Sequence, residues 1–265
     1  MGMVLHRLLV VLLEENLDTT SYHVARILIN NFAILNQLTI DQVARLCDVS
    51  KSTVSKFIRK IGFSDYGEFR DALPNVPHSQ FSYNTNVMNY LENNSFDDYS
   101  QLVIANINLL AGAIENSNAR ALVEDLVAYD KVAAFGLLYS QTAAIDLQTK
   151  LAYNDKYIYT CLNDVKQHEY IEAAQEDSLI IIFSHSGDYL RKHQMTQGNI
   201  TKSAFKKTKA KIVVITANFK MEDNPLVDYC VLYPAVNEIT THSIIFALIS
   251  DYLTLHFRQA TKSQP

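Results

Sequence analysis

The chain has 265 residues, 48% of them hydrophobic, and a formal net charge of −5. That length accommodates two small domains or one large one, with enough apolar side chains for a core in each. The negative charge excludes a protein coated in positive charge for non-specific binding to nucleic acid, so a DNA-binding surface has to be a local one.

The N-terminal segment predicts two helices. Helical spacing of leucines gives an apolar face to the first, and the second is expected over 22–32, beginning near Thr20 or Ser21. The leucines of that face are Leu5, Leu8, Leu9, Leu12 and Leu13.

Targeting signals are the next feature of the sequence to consider. Residues 1–17 lack the charged start and the small-residue cleavage site of a signal peptide, and no stretch reaches the length of a membrane span. Three cysteines without metal-type spacing indicate buried thiols in a reducing compartment. We therefore expect a cytoplasmic protein that does not associate with a membrane.

Residues 39–63 have the pattern of two short helices joined by a tight turn. Thr39 and Gln42 are spaced as a capping box for the first helix, and Ser50 is suited to cap the second. Gly62 follows the last apolar residue, where a left-handed C-terminal cap is expected. The spacing is that of a helix-turn-helix.

The second helix of this pair is basic and contains no acid between positions 51 and 60. In a helix-turn-helix, the residues at the start of that helix face base edges and phosphates in the major groove. An ordinary pair of packed helices with a solvated basic face is the alternative, but the caps, turn, apolar stripe and basic run occur together and favour binding to double-stranded operator DNA. The residues predicted to contact DNA are Ser50, Lys51, Ser52, Thr53, Ser55, Lys56 and Arg59.

A change in composition follows a short predicted helix at 66–73. Pro74 and Pro77 end that helix, and the next twenty or so residues are rich in Asn and Ser, with one possible helical turn at 87–91. The predicted organisation is a helix-turn-helix domain at 1–75, a linker at 76–97 and a second domain at 98–265.

The second domain alternates between helical and strand patterns. Near-continuous β-branched runs separated by helices are typical of a parallel sheet covered on both faces. Strands are predicted at 131–136, 157–162, 178–184, 211–217 and 229–234, and helices at 98–115, 118–128, 140–152, 167–174, 199–209 and 238–258. The predicted fold class is an all-α helix-turn-helix domain followed by a doubly wound, parallel α/β domain.

Hydroxyl and glycine residues follow two of these strands, at 136–140 and 184–188. Ligands of doubly wound sheets bind at the carboxyl ends of the strands, and hydroxyls with backbone N–H groups at helix starts suit an anion. Either loop alone reads as an ordinary turn, but two at one edge favour a bound phosphate. The predicted ligand-binding residues are Gly136, Tyr139, Ser140, Ser184, His185, Ser186, Gly187, Thr216 and Glu238.

Two of these residues also admit other roles. His185 has no evident acidic partner nearby except Asp188 and no nucleophile elbow around it, so contact with ligand or solvent is favoured over catalysis. Glu238 is a candidate base or sugar-hydroxyl partner, or simply a favourable charge at a helix start. We predict no catalytic residue, metal or cofactor.

The whole chain resembles the RpiR family of bacterial transcription regulators, which join a helix-turn-helix domain to a sugar isomerase (SIS) domain. Residues 38–73 carry the more specific part of the resemblance. In the second domain, the family's G-x-G-x-S and S-x-S-G-x-T loops are matched, and so are later landmarks; these residues are Gly136, Ser140, Ser184, Ser186, Gly187, Ile215, Thr216, Pro225, Leu226 and Asp228. The resemblance implies a phosphorylated sugar whose phosphate is held by Ser140, Ser184, Ser186 and nearby amides.

The sequence departs from the family pattern at three places. Leu138 replaces the second glycine of the first loop, and Tyr189 replaces the threonine of the second. The segment 187–211 is longer than the corresponding segment of the family and carries five lysines from 202 to 211. These lysines are interpreted as a solvated helix face; an extra contact with an anion or with DNA is the less favoured interpretation. These departures imply an altered ligand, or a pocket that has lost its ligand.

Three functions are therefore weighed. The leading one is a regulator that binds operator DNA, senses a phosphosugar effector and forms a homodimer or homotetramer. In the second, the SIS domain is only a dimerisation scaffold. The third is an aldose–ketose phosphosugar isomerase with Glu238 as base, against which the helical N-terminal domain and the altered loops count.

Overall fold

The computed structural model describes residues 3–73, 85–194, 198–235 and 241–262. The chain divides into two compact units, one built mainly from the first 85 residues and the other mainly from those that follow. Every helix within the described ranges is too short or too polar to cross a membrane.

The N-terminal unit is helical throughout. Its helices are α1 (Met3–Glu14), α2 (Thr20–Asn30), α3 (Ile40–Leu46), α4 (Lys51–Lys60) and α5 (Tyr66–Asp71), with a 3-10 segment at Phe32–Gln37. Their apolar faces enclose one core, in which Leu8, Leu28, Val43, Ile58 and Phe69 are fully buried.

Local capping signals fix the boundaries of α3 and α4. Thr39 and Gln42 form the predicted capping box, and the Ser50 side chain accepts a hydrogen bond from the Thr53 backbone N–H. Gly62 has a φ of 86°, and the Phe63 N–H donates to the Ile58 carbonyl in the bonding pattern of a left-handed helix cap. All three predicted helix-boundary features are confirmed.

The predicted apolar face of α1 is partly wrong. The structure buries Val4, Leu8 and Val11, whereas Leu9 is 37% exposed and Leu13 is 70% exposed. Because α1 is apolar nearly all round, periodicity alone does not choose between neighbouring faces, and packing against α2 decides.

The C-terminal unit is α/β. The elements that follow along the chain are α6 (Thr85–Asn93), α7 (Phe96–Ala113), α8 (Ala119–Ala128), β1 (Lys131–Phe135), α9 (Tyr139–Ala152), α10 (Asp164–Ala173), β2 (Ser178–Phe183), β3 (Arg191–Gln194), β4 (Gly198–Thr201), α11 (Ala204–Lys207), β5 (Lys211–Thr216), β6 (Tyr229–Leu232) and α12 (His242–Lys262). Within the described ranges, β1, β2, β5 and β6 form a parallel sheet in that order, and β3 pairs with β4.

Both faces of the parallel sheet are buried. Alternate strand residues such as Ala134 and Ile181 pack against α8, α9 and α12, while Phe135 and Ile180 face α10 and α11. This two-sided covering confirms the predicted doubly wound α/β fold.

The chain reverses its winding direction between β1 and β2. Tyr159 pairs with Ala133 on the free edge of β1, so the first connection runs outward, and the next returns to place β2 on the other side of β1. In doubly wound sheets such a topological switch point, at the carboxyl ends of the strands, is where ligands bind. Here it lies between the ends of β1 and β2.

Two predicted elements are wrong. In the strand predicted at 157–162, only Tyr159 pairs with β1. The segment lies at the edge of the sheet, where β1 is its one neighbouring strand, and it ends where Asn163 caps α10. The helix predicted at 199–209 is instead the end of β4 and the four-residue α11, in which Ala204 and Phe205 are buried; this lysine-rich stretch has too few apolar residues for a longer amphipathic helix.

The predicted linker contains α6 and the start of α7, so the helical turn expected at 87–91 is a full helix. Residues 74–84 lie outside the described ranges, and the domain boundaries at 75 and 97 stay predictions. The three cysteines are free thiols, two of them buried (Cys47 and Cys230) and one half-buried (Cys161).

Candidate DNA-binding and ligand-binding sites

Helix α4 presents one polar face to solvent. Val54, Phe57 and Ile58 are buried against the N-terminal core, which turns the opposite side of the helix outward. Of the predicted DNA-binding residues, Thr53 and Ser55 are half-buried, and those exposed are Ser50, Lys51, Ser52, Lys56 and Arg59.

Several of the predicted DNA-binding residues already have partners within the protein. The Ser50 hydroxyl lies 2.8 Å from the hydroxyls of Ser52 and Thr53, and Lys51 forms an ion pair of 3.0 Å with Asp41. Ser52, Lys56 and Arg59 lie three or four residues apart and therefore share the outward side of the helix. The Lys51–Asp41 pair is exposed on both sides, so it is worth at most about 1 kcal/mol and is easily exchanged for another anion.

The loop after β1 turns into α9 by a very close approach of backbone to backbone. A Cβ atom on Gly136 would lie 2.5 Å from the Ser140 carbonyl carbon and 2.8 Å from the Gln141 nitrogen. The Gly136 N–H donates to the Gln141 side-chain oxygen at 2.9 Å. Ser140 is 8% exposed and Tyr139 is 42% exposed at the helix start.

Leu138 occupies a conformation that favours glycine. Its φ of 53° and ψ of −122° place a β-substituted residue in a sparsely populated region, at a cost of about 1–3 kcal/mol. Leu138, which stands where the family pattern has its second glycine, thus adopts a backbone conformation that glycine would adopt without strain.

The loop after β2 uses its hydroxyls to shape itself. The Ser184 hydroxyl accepts a hydrogen bond from the Tyr189 N–H at 3.2 Å, and the exposed Ser186 hydroxyl accepts one from the Asp188 N–H at 3.3 Å. Gly187 has a φ of 80°, and a Cβ there would lie 2.4 Å from the Met221 sulfur. The loop is a tight, preformed turn.

Thr216 holds this loop from the neighbouring strand. Its hydroxyl donates to the His185 carbonyl at 2.9 Å and accepts from the Asn218 N–H at 3.1 Å, and the side chain is fully buried. The Thr216 side chain thus positions the loop by bonding to the backbone of His185.

A buried polar network that the sequence reasoning missed joins the two loops. Gln167 on α10 donates to the Gly136 carbonyl at 3.2 Å and to the Gln141 side chain at 3.1 Å. The Tyr189 hydroxyl donates to the Gln167 side-chain oxygen at 2.6 Å. Burial raises the pKa of Tyr189 well above its ordinary value, so its hydroxyl stays a donor. The signal in the sequence that could have revealed this network was the pair of uncharged amides, Gln141 and Gln167, on the apolar sides of α9 and α10.

Tyr189 lies in the core. Its ring packs edge-on against Phe205, and the residue belongs to the apolar cluster that includes Ile171 and Met221 and is 4% exposed. The bulk that replaces the family's threonine is accommodated by that cluster.

A histidine pair flanks the second loop. His185 Nδ1 lies 2.8 Å from the Tyr233 hydroxyl, and its ring stacks on that of His242, at the start of α12, with centroids 5.3 Å apart. Burial lowers the pKa of both imidazoles, that of His242 to about 4, where the His185 charge adds to the effect. His242 was missed because nothing in the sequence near position 242 signals its partner at 185. The predicted ligand residue Glu238 lies outside the described residues.

These two units make the chain a two-domain protein in which a basic helix-turn-helix precedes a doubly wound sheet with hydroxyl-rich strand ends. Residues 11–76 match the family model for the helix-turn-helix domain of the rpiR family. The N-terminal unit is therefore an rpiR-family helix-turn-helix domain, which confirms the resemblance seen in the sequence there.

Known proteins extend this comparison. The HTH-type transcriptional regulator GlvR of Bacillus subtilis (strain 168) is 34% identical over 56 residues, which are 21% of this chain and 22% of GlvR. The chain thus matches only about a fifth of the length of that curated relative.

The fold of both units has a counterpart in a solved structure. The Vibrio vulnificus NanR protein complexed with ManNAc-6P superposes with a TM-score of 0.52 at 16% identity, covering 98% of this chain and 93% of that one. An RpiR transcription factor from Sphaerobacter thermophilus (sugar isomerase domain) has a TM-score of 0.43 at 12% identity, over 60% of this chain and 88% of that one. The likeness to NanR confirms the predicted combination of a helix-turn-helix domain with an α/β domain.

Proposed function

We propose that this protein is a transcriptional regulator that binds operator DNA through α4 and a phosphorylated sugar at the switch point of its parallel sheet. The observation that carries the DNA-binding part is the outward row of Ser52, Lys56 and Arg59 on the capped second helix of an rpiR-family domain. Arg and Lys at such positions donate to guanine edges and to phosphates, and Ser to either base type. No catalytic step is part of the proposal.

Arg59→Ala is expected to weaken operator binding about tenfold or more, because one base or phosphate contact of this kind is worth roughly 1–3 kcal/mol. Operator fragments are first selected from genomic DNA by the wild-type protein, and affinities are then measured by fluorescence anisotropy. Arg26→Ala, on the exposed side of α2, makes the same change in charge and serves as the control. Equal affinities of the two variants would contradict the assignment of α4 as the recognition helix.

The effector part of the proposal rests on the strand-end loops. Ser140 and Ser186 are the hydroxyls proposed to bind phosphate, at the start of α9 and on the exposed side of the second loop. Gly136, Ser184, Gly187 and Thr216 shape those loops. Tyr139 and His185 are the residues proposed to contact the sugar. NanR, which shares the fold, is complexed with ManNAc-6P, and this supports a sugar phosphate as the class of ligand.

A specific sugar phosphate is expected to raise the melting temperature of the protein, since a ligand present at 100 times its Kd stabilises the folded state by about 2.7 kcal/mol. The measurement is a thermal-shift screen of sugar phosphates, with inorganic phosphate as the reference. Ser186→Ala is expected to reduce the shift without lowering the unliganded melting temperature by more than a degree or so, because Ser186 is exposed. No shift with any sugar phosphate would favour the SIS domain as a dimerisation scaffold.

We also propose a homodimer or homotetramer as the functional state. A two-fold protein matches a palindromic operator, and an effector acts only by binding differently to the DNA-competent and DNA-incompetent arrangements. Exposed apolar side chains on α9 and α12, including Ile145 and Leu255, supply surface for such contacts.

A further inference from the structure

A small cavity lies beside the recognition helix, between α4 and the start of α2. Its volume is about 140 Å³, and it is lined by Thr20, Ser21, Val24, Thr53, Lys56, Phe57 and Lys60. Phe57 and Val24 close its floor as part of the helical core, so the remaining wall is made of hydroxyls and ammonium groups.

The lining is chemically suited to an anion. Two lysines contribute positive charge, three hydroxyls can donate hydrogen bonds, and neither the lining nor the first turn of α2 contains an acid. The Tyr22 N–H is taken by the Thr19 side chain, whereas the N–H groups of Thr20 and Ser21 open the helix and have no acceptor within it. The cavity therefore combines an apolar floor with a basic, hydroxyl-bearing rim that suits an anion.

Its position ties it to the DNA-reading face. Lys56 belongs both to the outward row of α4 and to the cavity wall, and Thr53 and Lys60 lie on the adjoining flank of the same helix. When a helix enters the major groove, its flanks face the sugar-phosphate backbones that border the groove. A backbone phosphate next to α4 would thus meet this cavity.

We propose that the cavity binds a phosphate of the DNA backbone and so anchors α2 as well as α4 on the duplex. This inference rests on the DNA binding proposed above and deepens it, by adding Thr20, Ser21 and Lys60 to the interface. Such a contact carries no base information; it fixes the register and orientation of the helix that does.

One internal acid competes for the cavity. Lys60 forms an ion pair with Glu15 and donates a hydrogen bond of 2.9 Å to the Ser21 hydroxyl. The Lys60 ammonium, which hydrogen-bonds Glu15, holds the pKa of that carboxyl below its usual value. A DNA phosphate has to displace the Glu15 carboxylate from Lys60, so removing this carboxylate is expected to strengthen DNA binding.

The test measures binding of an operator fragment, selected from genomic DNA by the wild-type protein, to the full chain over a range of salt concentrations. Each lost phosphate contact reduces the slope of log K against log salt by about 0.9. Lys60→Gln is expected to show that reduction, whereas Arg26→Gln, which makes the same charge change on the exposed side of α2, retains the wild-type slope.

A second pair of variants changes the charge in the opposite sense. Glu15→Gln is expected to raise the affinity about threefold, the scale of a surface ion pair. Glu14→Gln makes the same change in net charge one residue away and is expected to have a clearly smaller effect. This pair keeps the proposal testable even if Lys60→Gln lowers stability.

The outcomes separate the two proposals. If the wild-type chain does not bind duplex DNA, both the DNA-binding function and the phosphate anchor are wrong. If the wild type binds but Lys60→Gln matches Arg26→Gln and Glu15→Gln matches Glu14→Gln, only the anchor is overturned. Displacement of DNA by inorganic phosphate at constant ionic strength, in the wild type but not in Lys60→Gln, would support the anchor.

Discussion

Acidification from neutral pH to about pH 4 will lower the free energy of unfolding of the C-terminal unit by roughly 3 kcal/mol through one residue, His242. Burial lowers the pKa of its imidazole from 6.5 to about 4, and the neighbouring His185 charge acts in the same direction. Since each pKa unit corresponds to about 1.36 kcal/mol, this one side chain accounts for the expected loss.

The sign follows from which state binds the proton first. In the unfolded chain His242 becomes protonated as the pH falls through its ordinary pKa of 6.5, whereas in the folded protein it stays neutral until about pH 4. Between these values the unfolded state holds more protons, so stability falls as the pH falls. Above pH 6.5 this contribution is fully present, and below pH 4 nothing further is lost.

Chemical denaturation at a series of pH values measures this effect, with His242→Gln as the diagnostic variant. The variant is expected to lose most of the slope between pH 6.5 and 4, because glutamine does not titrate. Phe246→Leu is the matched control: Phe246 packs edge-on against His242, so the change loosens the same cluster without removing a titrating group and lowers stability by a similar amount at every pH. A wild-type slope in His242→Gln would show that other groups carry the acid sensitivity.

The helix-turn-helix could be predicted from the sequence because its signals are local. Thr39, Ser50 and Gly62 each fix a helix end through contacts with residues three to five positions away, and those contacts are present in the structure. The β-branched runs likewise predict the buried strands β2 and β5, since a strand covered on both faces has to be apolar at every position.

The remaining features depend on contacts between distant parts of the chain. The burial of Tyr189 depends on Gln167 and Phe205, and the stacking of His185 on His242 joins residues almost sixty positions apart. Similarly, only packing against α2 decides which face of α1 is buried. Residue type and spacing locate a candidate site, but they do not show which of its polar groups are already satisfied by the protein.

Gly136→Ala is expected to destabilise the protein by about 3 kcal/mol or more, the upper part of the usual range for an overpacked buried position. The added Cβ would lie 2.5 Å from the carbonyl carbon of Ser140, 2.6 Å from its oxygen and 2.8 Å from the Gln141 nitrogen. All three are backbone atoms at the start of α9, so no side-chain rotation relieves the contact. The helix start has to move away from β1, which also stretches the Gly136 hydrogen bond to Gln141.

Gly112→Ala provides the opposite expectation within the same unit. Gly112 lies in α7, and a Cβ built there meets nothing within 4 Å, so alanine is expected to stabilise the helix by up to about 1 kcal/mol. Urea unfolding of both variants measures the two effects. If Gly136→Ala were as stable as the wild type, the tight turn from β1 into α9 would have to be looser than described. If it folds but binds no sugar phosphate that stabilises the wild type, the closeness of that turn is a requirement of the proposed effector site as well as of the fold.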